Sequence, residues 1–530
     1  METYRLPDES GVFEIYMGSL SCMRHRGQEF YELQQQGRLA FLIMDEVDFV
    51  TGAYIDTIKK ASREIFLKRN PRALRISAGC QGTLLSTDYD MLADELAQEL
   101  GIEVMVDKNC HLAGFNGYNK GTGWSHDRLD SDRPAGRGAL AWQPRARRRR
   151  PKRQPPRRSP RFRQTREEIM KYLFEYIPPV RSDVLGFYDV ILRSKAYGLV
   201  NDSWPYHFGA EFGGLHSGRS YNSCVSDLRE NDVISGAEET LLRCARDIAV
   251  SRPEYILVGE GPAASMIGTD LEDICKKIGS ETSIKAVPVN VNGQKSYDVG
   301  VSETLKTFAR LEAVQGEKQP GCINILGGSQ FDIGIENIQA IRNWCADAGF
   351  TVLNKDPDNC FRDAAKAELN LVITQSGLAA ARLLNERFGT PYFAGLPFGS
   401  AVSKILLDRI TTCKDRSISP TDGKSALIFA EPFIGSAIRD TLCIEYGFGH
   451  AALAGFQSMG SSTELRREKD VFELFESRSY DYIIGDPAFK ACWNGKGKWI
   501  DLPYKAFYVP TAAMPGLVGS RLNKWLERSL

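Results

Sequence analysis

The sequence predicts an α/β fold made of several three-layer units with parallel sheets. Three observations carry this expectation. Short apolar runs alternate with helical patterns along most of the 530 residues, as parallel strands joined by crossover helices require. Gly-rich turns stand between such a run and the helix after it, the place where a site forms in an open α/β sheet. Three segments also recur in the same order, which makes an internal repeat.

The clearest turn is Val258-Gly259-Glu260-Gly261-Pro262, between the run Tyr255-Ile256-Leu257-Val258 and a helical pattern from Leu271. Its earlier copy runs Leu74-Arg75-Ile76-Ser77-Ala78-Gly79-Cys80-Gln81-Gly82. Upstream, Asp48-Phe49-Val50-Thr51-Gly52-Ala53 pairs with Asp232-Val233-Ile234-Ser235-Gly236-Ala237. Downstream, Gly114-Phe115-Asn116-Gly117 pairs with Val289-Asn290-Val291-Asn292-Gly293.

In chain order, residues 1–124 read as a partial α/β unit, with strands at 39–44, 74–77 and 102–106 and helices at 54–66 and 89–100. Residues 125–166 are rich in Arg and Pro with little apolar content. Like charges repel there, so a disordered linker is expected, or else an artefact of translation. Residues 167–316 form a second unit, with helices at 167–176, 236–248 and 302–311 and strands at 254–258 and 284–289. A third spans 317–425: strands at 322–326, 350–353 and 369–374, and helices at 335–348 and 378–388, with Gly349 and Gly389 placed to end them. A fourth spans 426–530, with strands at 426–430 and 482–485 and a helix at 436–446.

Composition narrows the function classes. Hydrophobic residues make up 42% and charged residues 25%, enough for sizeable cores. Formal net charge is zero, so the whole chain has no electrostatic case for nucleic acid. No apolar run is long enough to cross a bilayer, and the first residues lack a basic-then-apolar signal. A cytoplasmic protein is expected.

The units read as Rossmann-like, yet no Gly-x-Gly-x-x-Gly stands between a strand and a helix, so dinucleotide binding has little support. Asp422-Gly423-Lys424-Ser425 imitates the end of a phosphate loop, but Ile418 holds the place of the partner glycine. A turn before a strand is the better reading. The twelve cysteines include no Cys-x-x-Cys, which argues against a sequence-local zinc site. Cys244, Cys275, Cys345 and Cys443 fall in helical patterns and read as buried thiols. Cys22 and Cys80 lie on turns at strand ends, where thiolates suit an iron–sulfur cluster. Cys110 is a weaker third candidate and Cys224 weaker again.

In this order the motifs resemble the nitrogenase component 1 family, which comprises nitrogenase α and β subunits, cofactor-assembly scaffolds and nitrogenase-like reductases. Asp232 to Gly236, Met266 to Leu271, Asp48 to Gly52, Cys80 to Asp88 and Asn222 to Asp227 carry the resemblance. Cys322 to Gly328 resembles the strand opening the family's second Rossmann-like domain, and Leu369 to Val372 a later strand. The departures are as telling. Pro262 stands where the family has a cluster cysteine in the second copy, and no cysteine precedes Cys22. Thr374 stands where an α subunit carries its cofactor cysteine, and no histidine follows His450.

The resemblance implies a divergent β-type member: a subunit of a nitrogenase-like oxidoreductase. A separate ATP-hydrolysing iron–sulfur reductase would pass electrons to it. A [4Fe-4S] cluster, held by Cys22 and Cys80 with Cys110 as a further candidate and shared with a component 1-type partner subunit, would relay them to a reducible substrate. No molybdenum–iron-type cofactor is expected on this chain alone. The alternatives are a cofactor-assembly scaffold and a metal-free partner subunit.

Overall fold

A computed structural model describes residues 11–79, 81–82, 85–108, 173–203, 222–354, 361–412, 423–455, 463–465, 467–507 and 512–530. The Arg/Pro-rich segment 125–166 lies outside the described residues, as do Cys80 and Cys110.

The first sheet opens with β1 (Val12–Gly18), followed by α1 (Gly27–Gln35), β2 (Leu39–Ile43), α2 (Glu46–Thr51), α3 (Ala53–Arg69), β3 (Ala73–Ala78), α4 (Tyr89–Leu100), β4 (Glu103–Lys108) and β5 (Leu173–Phe174). Its order is β4-β3-β1-β2-β5, and only β5 runs antiparallel. The sequence reading passed over β1, although it is the central strand. Its signal is present: Phe13, Ile15 and Met17 face the core under α3 and α4, while Tyr16 joins Leu39 and Phe41 on the other face. A parallel strand is buried on both sides, so it reads as a continuous apolar run.

The second sheet draws on α5 (Asp183–Ile191), β6 (Tyr197–Asn201), β7 (Ser223–Val225), α6 (Glu230–Ser235), α7 (Glu238–Ala249), β8 (Ile256–Glu260), α8 (Pro262–Ile267), α9 (Leu271–Thr282), β9 (Ala286–Pro288) and α10 (Tyr297–Glu312). Its order, β7-β6-β8-β9, repeats β2-β1-β3-β4 of the first. The repeat thus extends from motif to topology. The copies also share their caps: Asp88 accepts the Met91 N–H at the start of α4 (2.9 Å), and Asp270 accepts the Asp273 N–H at the start of α9 (3.0 Å).

The third sheet comprises β10 (Gln319–Leu326), α11 (Ile335–Asp347), β11 (Thr351–Val352), β12 (Ala367–Val372), α12 (Leu378–Phe388), β13 (Tyr392–Ala394) and α13 (Ser400–Thr412), in the order β11-β10-β12-β13. The fourth comprises β14 (Ser425–Phe429), α14 (Pro432–Tyr446), β15 (His450–Gly455), β16 (Thr463–Glu464), α15 (Glu468–Ser477), β17 (Tyr482–Gly485), β18 (Lys498–Asp501) and α16 (Ser520–Ser529), in the order β16-β15-β14-β17-β18. In the first three sheets the first strand is central, with the second on one side and the third on the other; in the fourth, β14 is central between β15 and β17, and β16 extends the sheet beyond β15. Gly349 (φ +89°) follows α11 and Gly389 (φ +65°) ends α12, as expected. Ser425 opens β14 with its N–H on Asp481 (2.7 Å), the turn-before-strand reading of the Gly-Lys-Ser segment.

One element departs from expectation. Residues 167–176 read as helical, but Leu173 and Phe174 pair with Leu42 and Phe41 as β5 on the edge of the first sheet. The N–H groups of Glu175, Tyr176 and Ile177 go to the Glu468 carboxylate at 2.9, 2.6 and 2.7 Å. A distant acceptor replaces the helix carbonyls. Pro178 also disfavours helical backbone at Ile177.

Candidate functional site

Where a first strand sends the chain one way and a third strand the other, their outgoing loops diverge and leave a crevice. In the first unit these loops follow Gly18 and Ala78. Cys22 lies on the first, in a 3-10 turn spanning Leu20–Arg26, and is 3% exposed. Its N–H donates to the Ser19 carbonyl (2.9 Å), and the Tyr16 hydroxyl donates to its own carbonyl (3.1 Å). Its sulfur lies 3.2 Å from Ser19 Oγ and 3.5 Å from Gln81 Nε2, on the opposite loop. Gln81 Nε2 also donates to Ser19 Oγ (2.9 Å). Thiol, hydroxyl and amide form one buried triad across the switch point.

Two glycines permit this approach. A Cβ on Gly18 would stand 2.9 Å from Cys22 Cβ, and one on Gly79 would stand 2.9 Å from Gln81 Oε1. Both distances are too short for a side chain.

The second copy meets the first here. Pro262 opens α8, at the same spacing before Asp270 as position 80 has before Asp88. Proline suits that first helical position because its missing N–H would be unpaired anyway. Gly293 (φ +77°) packs on Pro262; a Cβ there would lie 2.5 Å from Pro262 Cδ and 2.9 Å from Ser21 Cβ. The Ser21 N–H donates to the Gly293 carbonyl (2.9 Å), and Ser182 Oγ donates to Ser21 Oγ (3.2 Å). Asp183 holds the 292–293 turn, accepting N–H groups from Asn292 (3.1 Å), Gly293 (2.8 Å) and Val184 (2.9 Å). Its carboxyl is fully buried, and that burial raises it to about 7 despite these bonds and Lys295. Glu260, at the end of β8, is raised to about 7 by burial, with Glu46 of the first unit adding to the rise.

A second polar centre lies where the third and fourth sheets end. Thr374 is fully buried; its Oγ1 accepts the Gly328 N–H (2.6 Å) and shares a hydrogen bond with Ser376 (2.9 Å). Glu431 accepts N–H groups from Gln375 (2.8 Å), Phe433 (2.8 Å) and Ile434 (3.0 Å). Burial, with Asp332 nearby, pushes it to about 8. Asp332 itself is raised to about 7 by burial. The Tyr297 and Tyr504 hydroxyls meet at 3.0 Å beside them. At the position the resemblance gives to a cofactor cysteine, this chain places a hydroxyl already committed to the backbone.

Of Cys22, Cys80 and Cys110, only Cys22 is described. Cys224 lies half-buried on β7. Cys275 and Cys345 are buried, and burial pushes both thiols to about 12, so they are neutral packing groups. Cys244, half-buried, is pushed to about 11 by burial. Among the described residues no group of three or more His, Cys, Asp or Glu is arranged to hold a metal ion. Sequence reasoning missed Ser19, Gln81 and Asp183. Gln81 had a signal in its place beside Cys80 in the Gly-rich turn; Asp183 had none.

The donor chemistry at Cys22 suits one ligand of an iron–sulfur cluster: a buried sulfur, two polar groups aimed at it, and glycines flanking it. The described residues do not make a complete ligand set, and Pro262 contributes no donor atom.

Residues 206–428 match the family model described as nitrogenase component 1 type oxidoreductase. Among curated proteins, the nitrogenase iron-molybdenum cofactor biosynthesis protein NifE of Clostridium pasteurianum is 28% identical over 50% of this chain and 63% of its own length. The nitrogenase molybdenum-iron protein alpha chain of Methanothermobacter thermautotrophicus is 25% identical over 37% of this chain and 45% of its own. The chain therefore spans less than two thirds of the length of these relatives. The solved structure of nitrogenase Cp1 at pH 6.5 matches with a TM-score of 0.50 at 13% identity, over 64% of this chain and 88% of that one. That likeness concerns the fold. No helix among the described residues is long and apolar enough to cross a membrane.

Proposed function

Residues 206–428 match the nitrogenase component 1 type of oxidoreductase, and from that match we propose that this chain is a subunit of a nitrogenase-like oxidoreductase. It would accept electrons from an ATP-hydrolysing iron–sulfur reductase and pass them through an iron–sulfur cluster in the crevice beside Cys22. The observation that carries this reading is the Cys22 sulfur, buried at the switch point with Ser19 and Gln81 against it.

A cluster bound there would supply a one-electron relay. Cys22 would be a thiolate ligand, and Cys80, one residue before Gln81, the next. The Gln81 amide and the Ser19 hydroxyl would donate to sulfur, stabilising the reduced state and raising the potential. Gly18 and Gly79 keep the crevice clear of side chains. Because Pro262 supplies no donor, the remaining ligands would come from a component 1-type partner subunit or from Cys110.

The similarity to a cofactor biosynthesis protein favours a second reading, an assembly scaffold that holds a precursor and turns nothing over. Iron and acid-labile sulfide per chain, measured after anaerobic purification, test the shared premise. About four irons are expected for a cubane, falling in Cys22→Ser and Cys80→Ser. Turnover with a reductase partner then separates enzyme from scaffold. Wild-type protein that is folded and free of iron, alone and with its partner subunit, would leave only a metal-free role.

A further inference from the structure

The crevice at Cys22 has two walls, and both belong to this chain. One is made by the loops of the first copy, with Ser19 and Gln81 against the sulfur. The other is built by the second copy. The N–H of Ser21, one residue before Cys22, donates to the Gly293 carbonyl (2.9 Å), and Ser182 Oγ donates to Ser21 Oγ (3.2 Å). Gly293 sits so close to Pro262 and Ser21 that no Cβ fits at position 293. Farther out, Met266 of α8 packs against the core of the first sheet, and α8 lies against α2. Glu46, the first residue of α2, stands near enough to Glu260 at the end of β8 to add to the rise of its carboxyl.

These contacts join strand-end loops and helices of two copies of one topology, as two halves of a dimer would be joined. With them in place Cys22 is 3% exposed, which leaves a second chain almost no surface of the thiol to reach.

We infer that the second copy takes, at Cys22, the place of a partner subunit: the crevice is closed within one chain, and no second chain enters it. Of the two sources of further ligands, a partner subunit and this chain, the junction selects this chain. What that means for a cluster rests on the function proposed above; the shielding of the thiol does not. Residues 109–172 join the copies covalently. Docking of one copy on the other is therefore intramolecular, at an effective concentration that dilution of the protein does not change.

Maleimide labelling of Cys22 in the metal-free full chain, read by peptide mass spectrometry, tests this without a cluster. In folded wild type the rate should be at least about 100-fold below that in urea, since labelling must await local opening. It should stay the same on dilution from about 10 µM to about 0.1 µM, because an intramolecular junction does not dissociate on dilution. Two substitutions open the junction from the second copy. Gly293→Val sets a branched side chain against Pro262 and Ser21 at a φ of +77°, and Met266→Asp puts a charge against the core of the first sheet. Each should speed labelling of Cys22 at least about tenfold by favouring the open state, with the far-UV circular dichroism unchanged. Labelling of folded wild type as fast as in urea would overturn the inference. So would labelling that quickens on dilution, or a Met266→Asp chain that folds and is labelled at the wild-type rate. After anaerobic reconstitution with iron and sulfide, iron should elute with the single chain, its mass read by light scattering; iron held only in complexes of two chains would also overturn it. Slow labelling with no iron in any state would instead refute the proposed function and leave the junction standing.

Discussion

Asp183→Asn should make the protein's stability less sensitive to alkaline pH. Asp183 is fully buried and its carboxyl is raised from 3.8 to about 7 by loss of solvent. A carboxyl raised on folding favours the native state fully below its unfolded value and loses that contribution as pH rises to the folded value. At about 1.36 kcal/mol per decade the full loss is about 4 kcal/mol, of which about 2 is already gone at pH 5. Asparagine has the shape of the protonated acid and does not titrate. Its amide nitrogen would replace the oxygen that accepts the Asn292 N–H, a cost of about 1–3 kcal/mol that does not depend on pH. The stability of Asp183→Asn relative to wild type should therefore improve by about 2–3 kcal/mol between pH 5 and pH 8. Urea unfolding of both proteins at both pH values measures this, since every other titrating group cancels in the difference. Amide exchange at Asn292 and Gly293 reports the same event locally. A difference that stays constant within about 0.5 kcal/mol across this range would refute the assignment of Asp183 as a buried, protonated anchor of the turn.

Three further substitutions test packing, the first against that anchor and the others elsewhere in the fold. In Gly300→Ala the new Cβ would overlap the Asp183 carbonyl in the tight α5–α10 crossing. The roughly 1 kcal/mol gained in helix propensity should be outweighed by overpacking of about 1–3 kcal/mol or more, and the urea midpoint should fall. In Gly279→Ala on α9, where the nearest atom to the new Cβ is 3.7 Å away, the midpoint should rise by the propensity term alone. Glu468→Ala removes the acceptor of three backbone N–H groups, and at about 1–3 kcal/mol each the loss should exceed about 3 kcal/mol. Faster exchange and proteolysis at residues 175–177, ahead of the rest of the chain, would show that this carboxylate ties the fourth unit to the edge of the first sheet.

These substitutions matter because the candidate site is assembled between two copies of one topology. Neither copy alone encloses Cys22. The first copy brings the thiol and Gln81 together; the second contributes Pro262 and Gly293, which close over Ser21. The internal repeat therefore does more than lengthen the chain. It sets two equivalent strand-end loops against each other, and the difference between them at Cys80 and Pro262 gives the junction its chemical asymmetry.

Much of this was legible in the residues. Apolar runs and glycine stops are local signals, and they located β3, α4, α12 and β17 close to their observed ends, because hydrogen bonding and side-chain alternation within an element depend on near neighbours. The repeat showed that two units share a topology before any strand order was known. Cys22 was singled out because a thiol on a strand-end turn is chemically conspicuous. What tertiary structure alone decided was which loops meet. Gln81 lies 59 positions from Cys22, Asp183 lies 110 positions from Gly293, and Glu468 captures a segment 293 positions away. No local pattern encodes these pairings. They follow from strand order and from the packing of one sheet's edge on another, and so does the loss of solvent that raises the carboxyls of Asp183 and Glu431.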